Sequence, residues 1–357
     1  MNKPFEGLKV VELAAVLAGP AVGSFFAELG AEVLKIENKT TGGDVTRSWR
    51  LVNESKENPV SAYYSAVNYG KQVLLLDLKN SDDKQLVLDE IKSADLLITN
   101  FKKGDDVKFG FDYELIKSIN PELIYASING YGEESEKVAF DVVLQAETGL
   151  MSMNGNSKEE PTKMPVAFID LFAAHQLKEG VLVALLNRYK TGKGSHVSVS
   201  LYDAAIASLA NQATNYLMNN HIPKPIGSLH PNIAPYGEIV NSADGVKLVL
   251  AIGSQAQFLG LLKILGLESL MEDARFLTNA NRVKYRTELH ELLKAEGIKK
   301  KGIELYDELI SKKVPVGIIK NLEQVFEAPE AKGLLLNQEI EGMQTTRVAT
   351  AIFKIRE

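Results

Sequence analysis

The chain contains no cysteine. That removes disulfides, thiolate metal sites and cysteine nucleophiles together, and it suits a reducing compartment such as the cytoplasm. Histidine is scarce, with five scattered copies and no paired ligand spacing, so no metal site is expected. Positive charge is not in excess. Forty Lys and Arg stand against 46 Asp and Glu, a net charge of −6, which gives no electrostatic footprint for nucleic acid or an anionic membrane. No apolar run approaches the roughly 20 residues that cross a bilayer. The opening residues, Met1 to Glu6, lack an apolar core and meet an acid early, so a secretory signal is not expected.

What is present is a globular composition: 45% hydrophobic and 24% charged residues in a chain of 357. That length exceeds one ordinary core, so two domains are the natural expectation. The first part alternates strand and helix patterns. Leu8 to Leu13 is a compact apolar run. A loop and a helix with Pro20 in its first turn follow, ending at Gly30, and Glu32 to Ile36 is the next strand. Strand, helix and strand within about 30 residues predict a βαβ unit and a parallel sheet. Strands are predicted again at Val73–Leu76, Asp95–Thr99, Leu123–Ile128 and His196–Leu201, with helices at Asp82–Ser93 and Tyr113–Ile119. The expected fold class is α/β: a large doubly wound, Rossmann-like domain over 1–202, completed by 320–357. A linker is expected over 203–229. A smaller α+β domain over 230–315 opens with an Asp244-Gly245 hairpin signal.

Familiar catalytic motifs are absent on inspection. The first strand–helix loop offers Gly19, Pro20 and Gly23 rather than G-x-G-x-x-G, and proline lacks a donor for a pyrophosphate. Lys190 to Ser195 looks like a nucleotide loop, yet it follows a helix and has Asn187 in place of the first glycine, so it reads as a helix end and turn. His290-Glu291 begins H-E-x-x-H, but Lys294 stands where the second histidine belongs. There is no G-x-S-x-G elbow. Asp170 remains. It ends the apolar run Pro165 to Ile169 and opens the apolar helix Leu171 to Arg188, where a lone carboxylate ordinarily reads as a helix N-cap.

Several blocks in order point elsewhere. Leu8 to Leu13 is followed by Ala18-Gly19-Pro20, and Leu29 to Glu37 by Gly43-Asp44 and Arg47. Then come Leu76 to Lys79, Ala94-Asp95, Asn100-Phe101, Asn120-Pro121, Gly130-Tyr131-Gly132 and Thr191 to Gly194. Asp273 to Phe276 and Asn281 to Val283 complete the set. In order and spacing these resemble the family III CoA-transferases, the CaiB–BaiF family, over essentially the whole chain. The resemblance implies that Asp170 is the nucleophile that attacks an acyl-CoA thioester. It implies a CoA and substrate site at Val16, Asn38, Lys39, Leu76, Lys79, Asn100, Phe101, Lys108, Lys137 and Phe140. The partners implied are an acyl-CoA and a second carboxylic acid, with coenzyme A as co-substrate and no metal, in an interlocked homodimer.

The resemblance also has departures. Some members of the family are 2-methylacyl-CoA racemases, whose histidine falls where this chain has Phe140, before Asp141. Phenylalanine transfers no proton, which leaves racemization as the second reading, with His175 or Asp141 as substitute bases. A non-catalytic acyl-CoA-binding protein is a third reading, against which the retained Asp170 counts. The glycine-rich loop of some oxalate-using members has its nearest counterpart in Ile252 to Ala256, which holds one glycine. A formyl-CoA/oxalate pair is therefore not favoured.

Overall fold

Six segments assemble into one parallel sheet in the computed structural model, which describes residues 3–156 and 159–355. The first two residues of the N-terminal segment considered above lie outside that range. The strands are β1 (Lys9–Leu13), β2 (Glu32–Asn38), β3 (Lys71–Leu76), β4 (Leu96–Thr99), β5 (Ile124–Asn129) and β6 (Ser195–Ser200). They lie in the order β3-β2-β1-β4-β5-β6, and every neighbouring pair is parallel. The order reverses between β1 and β4, the place where open α/β sheets hold their ligands.

Strand β4, Leu96-Leu97-Ile98-Thr99, is buried throughout, as expected of a central parallel strand covered on both faces. Successive residues of β1 feed different cores: Val10 packs with Phe25, Phe26, Leu177 and Val181, and Val11 with Leu97, Ile91, Phe111 and Ile116. Fully burying a side chain such as Phe26 or Leu97 contributes about 1.5–3 kcal/mol. The helices that supply these layers include α1 (Ala18–Glu28), α2 (Ser81–Lys92), α3 (Asp105–Phe109), α4 (Tyr113–Ile119), α5 (Asp141–Glu147) and α6 (Phe168–Thr191). Helix α6 ends on Gly192 at φ 67°, so the stretch resembling a nucleotide loop is a left-handed helix cap running into β6. The run before Asp170 is not a strand. Residues 165–167 are irregular, and α6 already begins at Phe168.

The described chain forms two compact units. One comprises residues 1–154, 160–224 and 333–357, and the other residues 155–159 and 225–332. These bounds differ from the expected ones. Residues 203–224 belong to the first unit because the helix Leu201–Ala207 buries Leu201, Ala204 and Ala205 in its core. Residues 320–332, including the helix Leu322–Glu327, fall in the second. The C-terminal hairpin, β10 (Leu335–Ile340) with β11 (Met343–Val348), returns to the first unit. There Arg347 pairs with Glu28, and Gln338 accepts the Gly70 N–H at 2.7 Å. The second unit is a small antiparallel sheet of β7 (Tyr236–Asn241), β8 (Lys247–Ala251) and β9 (Val316–Ile318), covered by helices such as Gln255–Leu265 and Gly302–Ser311.

Candidate active site

At the carboxyl ends of β1, β4 and β5 the first unit opens into a cleft of about 850 Å³. Its walls are the loops Ala15–Ala18, Asn100–Gly104 and Gly132–Phe140, with Asp170 and His196 also facing in. This is the crevice that the reversal of strand order creates.

Asp170 is the third residue of α6, two positions beyond an N-terminal residue, Phe168, preceded by Ala167 at the cap. The N-cap expectation is therefore corrected. Ala167 has no side chain to cap the helix, and the work falls to Asp141, whose Oδ2 accepts the Ile169 N–H at 2.8 Å. Gln145 steadies that carboxylate with its amide and accepts the Met164 N–H at 2.8 Å. Among the described residues the Asp170 carboxylate has no hydrogen-bond partner. Burial, and after it the charge of Asp141, pushes its pKa up to about 7. The helix N-terminus favours an anion, but desolvation outweighs it here.

Tyr63 stands close enough to feel this group: burial first, then the charges of Asp170, Asp141 and Asp44, raise its phenol. Trp49 meets Tyr63 edge-on at 5.2 Å. Sequence reasoning missed both. Their only local signal is an aromatic in a loop and another in the short helix Ala62–Ser65, capped by Ser61. Also on the cleft, His196 bonds Ser127 at 2.9 Å and stacks on Tyr113 at 4.9 Å, a second cluster that the sequence did not announce.

Of the residues expected at a CoA site, Val16, Asn100, Phe101, Lys137 and Phe140 line the cleft with Asp170. Asn100 is not free to meet an incoming amide at both ends, because its Oδ1 accepts the Ala15 N–H at 3.0 Å and its Nδ2 donates to the Ala15 carbonyl at 2.8 Å. Phe101 lies 6.2 Å from Phe109, and the Lys137 ammonium sits 4.9 Å from the Tyr131 ring centre. Phe140 is 53% exposed at the N-cap of α5. Asn38, Lys39, Leu76, Lys79 and Lys108 are not among the cleft's lining residues. Asn38 and Leu76 are register partners at the carboxyl ends of β2 and β3, and the Asn38 side chain caps the turn that holds Lys39. Lys79 is exposed, and Lys108 lies 3.7 Å from Asp105. His175 does not line the cleft either.

Ile252 to Ala256, in the second unit, is no glycine-rich flap: Ser254 caps the helix Gln255–Leu265, and Gln257 Oε1 accepts the N–H groups of Gly253 and Ser254. Among the described residues no three His, Cys, Asp or Glu side chains gather as a metal site, and no helix is long and apolar enough to cross a membrane.

Residues 5–357 match the family model for CoA-transferase family III. The chain belongs to that family. It is 38% identical over 346 residues to a succinate–glutarate CoA-transferase of Agrobacterium fabrum, covering 95% of this chain and 86% of that one. It is 33% identical to the human succinyl-CoA:glutarate CoA-transferase, covering 94% of this chain and 77% of the other. A crystal structure of a CaiB/BaiF family protein from Brucella suis superposes with a TM-score of 0.84 at 38% identity, over 99% of this chain and 93% of that one. This family III member is thus a CoA-transferase, moving coenzyme A between acids with CoA as co-substrate.

Proposed function

We propose that the enzyme transfers CoA from an acyl-CoA to a second carboxylic acid through covalent intermediates on Asp170. One observation carries the reading: Asp170 is a carboxylate on the cleft with no hydrogen-bond partner among the described residues and a pKa of about 7. A carboxylate stripped of donors is a better nucleophile than a solvated one, and at neutral pH a good share of it is ionised. Asp170 attacks the thioester carbonyl and expels CoA thiolate, leaving a mixed anhydride. The thiolate then attacks the aspartyl carbonyl, releasing the first acid and leaving an aspartyl-CoA thioester. The second acid attacks that thioester to form a new anhydride, and the thiolate takes its acyl group, which regenerates Asp170. One thioester replaces another, so no external energy source enters.

Lys137 is assigned to a phosphate or other polar group of CoA on the cleft. Lys39, Lys79 and Lys108, exposed and outside the cleft's lining, are assigned to its outer phosphates, where ammonium groups meet anions as point charges. Val16, Asn38, Leu76, Asn100 and Phe101 are assigned to the walls along the nucleotide and pantetheine. Phe140 occupies the acyl end in place of a base. Remote binding of the nucleotide helps to fix the reacting carbonyl against Asp170.

The substrate names of the relatives make succinyl-CoA with glutarate the first donor and acceptor to try. A panel of acyl-CoA donors and dicarboxylic or monocarboxylic acceptors, read by mass spectrometry of the new thioester, tests the reading. Formation of no new acyl-CoA from any pair would contradict it. An interlocked homodimer belongs to the same proposal. It is supported by the apolar side chains that α6 leaves exposed, Val183, Leu186 and Tyr189, and by Leu217 and Met218 further on. Light scattering that returned a monomer would count against it.

A further inference from the structure

Val16, on the wall of the cleft, stands at φ 73°. A β-branched residue is strained in that left-handed region, so the surrounding structure must hold it there. Three side chains from separate parts of the first unit grip the loop's backbone. Lys35, on β2, donates to the Ala14 carbonyl at 2.7 Å. Asn100, just after β4, takes both polar groups of Ala15. Asp44, at the cap of the turn Val45–Ser48, accepts the Val16 N–H, its nearer oxygen at 3.1 Å.

Behind this grip lies a buried set of charges, with Glu37 beside it accepting the Asp44 N–H. Asp44 pairs with Lys35 at 3.2 Å, Lys35 with Glu12 at 2.9 Å, and Glu12 with Lys71 at 2.8 Å, with all four side chains fully buried. Two acids face two bases, and burial, against the charge of Glu12, pulls the Lys71 ammonium down to about 7. Thr46 adds two hydrogen bonds to Asp44, and Lys71 donates to the Pro20 carbonyl. Gly23 belongs to the same arrangement, since a Cβ there would fall 1.9 Å from a Glu12 oxygen. Burial opposes the charge on Asp44, but Lys35 and the Thr46 hydrogen bonds outweigh it and hold the carboxyl below its usual range. Glu12, Lys35, Asp44 and Lys71 do not line the cleft, and the chemistry at Asp170 does not use them.

We propose that Asp44 is a positioning residue: the buried series Lys71–Glu12–Lys35–Asp44 locks Val16 in its left-handed turn and so sets the wall against which acyl-CoA lies. The proposal rests on the reading that this cleft takes the acyl-CoA. It concerns the shape of the site, whereas the covalent mechanism concerns Asp170.

The test measures CoA affinity by calorimetry, with thermal melting alongside, for the full-length wild type, Asp44→Ala, Asp44→Asn, and each of these combined with Val16→Gly. Asp44→Ala should weaken CoA binding about tenfold in protein that circular dichroism shows to be folded. Glycine adopts the left-handed turn without strain, so Val16→Gly should recover most of that affinity in the double variant. A purely structural Asp44 predicts a lowered melting temperature with unchanged affinity, and that result overturns the proposal. So does a double variant as weak as Asp44→Ala alone. Should Asp44→Ala not fold, Asp44→Asn, which keeps an acceptor for the Val16 N–H but not the charge, is expected to show a smaller loss with the same recovery. Its unchanged affinity is equally fatal. A wild type that binds no CoA contradicts the functional reading instead. The clamp is then decided by a crystal structure of Asp44→Ala, which lacks the acceptor for the Val16 N–H: residue 16 should leave the left-handed region, and its retention there overturns the proposal.

Discussion

Asp141 accepts the N–H of Ile169 at 2.8 Å, so the carboxylate that caps the helix is also the charge that, after burial, raises the neighbouring Asp170. Capping and tuning are therefore coupled in one side chain. The cap holds Asp141 at the helix start, and its charge there adds to burial in keeping the proton affinity of Asp170 high.

This coupling can be separated. The acid limb of kcat/KM should fall near pH 7, where Asp170 takes up its proton. Asp141→Asn keeps an acceptor for the Ile169 N–H but removes the charge, so the limb should move to lower pH. Asp141→Ala should move it as well and should also destabilise the fold by about 1 kcal/mol through the lost cap. A limb that stays in place in both variants contradicts the assignment of Asp170 as the titrating group.

Stability should carry the same signature with the opposite sense. The folded pKa of Asp170, about 7, lies above the ordinary 3.8, so between these values the folded chain holds a proton that the unfolded chain has released. Stability from this group is therefore present at low pH and is lost as pH rises toward 7. Asp170→Asn removes that loss. At pH 8 it should be more stable than wild type, on the order of 2 kcal/mol after solvent screening, and near pH 4 the two should coincide. Denaturant melts at the two pH values test this. A variant that is less stable at pH 8 would point to a structural role for the carboxylate.

Asp170 also marks the limit of what the sequence discloses. Helix α4 is legible to the residue because its signals are local: Asp112 caps it through the Leu115 N–H, and Asn120-Pro121 ends it. The βα alternation is legible for the same reason. The strand order is not, because it depends on pairings between distant segments such as Val10 with Leu96. Nor is the capping of α6, whose acceptor lies 28 residues upstream in Asp141. Nothing local marks Lys35 as buried, yet its side chain is wholly enclosed with Glu12 and Asp44, which converge on it from other segments. The part of the cleft lined by Tyr113 and His196 is hidden likewise, since rings from α4 and β6, far apart in the chain, meet only in the folded unit.

CoA recognition is a separate matter from chemistry. Lys79→Ala, Lys108→Ala and Lys137→Ala should each weaken CoA binding by roughly 1–3 kcal/mol if the ammonium group meets a phosphate. Lys137 lines the cleft, whereas Lys79 and Lys108 are exposed outside it, so added salt should reduce the effect of those two more. Calorimetry at two ionic strengths reads both quantities. Unchanged affinity in all three variants would make these lysines ordinary surface charges.

The placement of its substitute bases gives the racemase reading no support. Phe140 removes the family's histidine, His175 does not line the cleft, and Asp141 is occupied by the Ile169 N–H and the Gln145 amide. Racemization needs a base on each face of the α-carbon. In heavy water, a 2-methylacyl-CoA incubated with enzyme and no acid acceptor should therefore gain little deuterium at that carbon. Rapid enzyme-dependent exchange, followed by NMR, would restore the alternative.

The most direct test of the central claim is to trap the acyl group on Asp170. The enzyme is incubated with an acyl-CoA donor without acceptor, then treated with hydroxylamine, and its peptides are analysed by mass spectrometry. An aspartyl anhydride or aspartyl-CoA thioester should yield a hydroxamate at residue 170, absent without donor and absent from Asp170→Asn. Asp170→Asn should also retain CoA binding while losing turnover. Normal transferase rates in that variant, or a hydroxamate at another residue with residue 170 unmodified, would contradict the account.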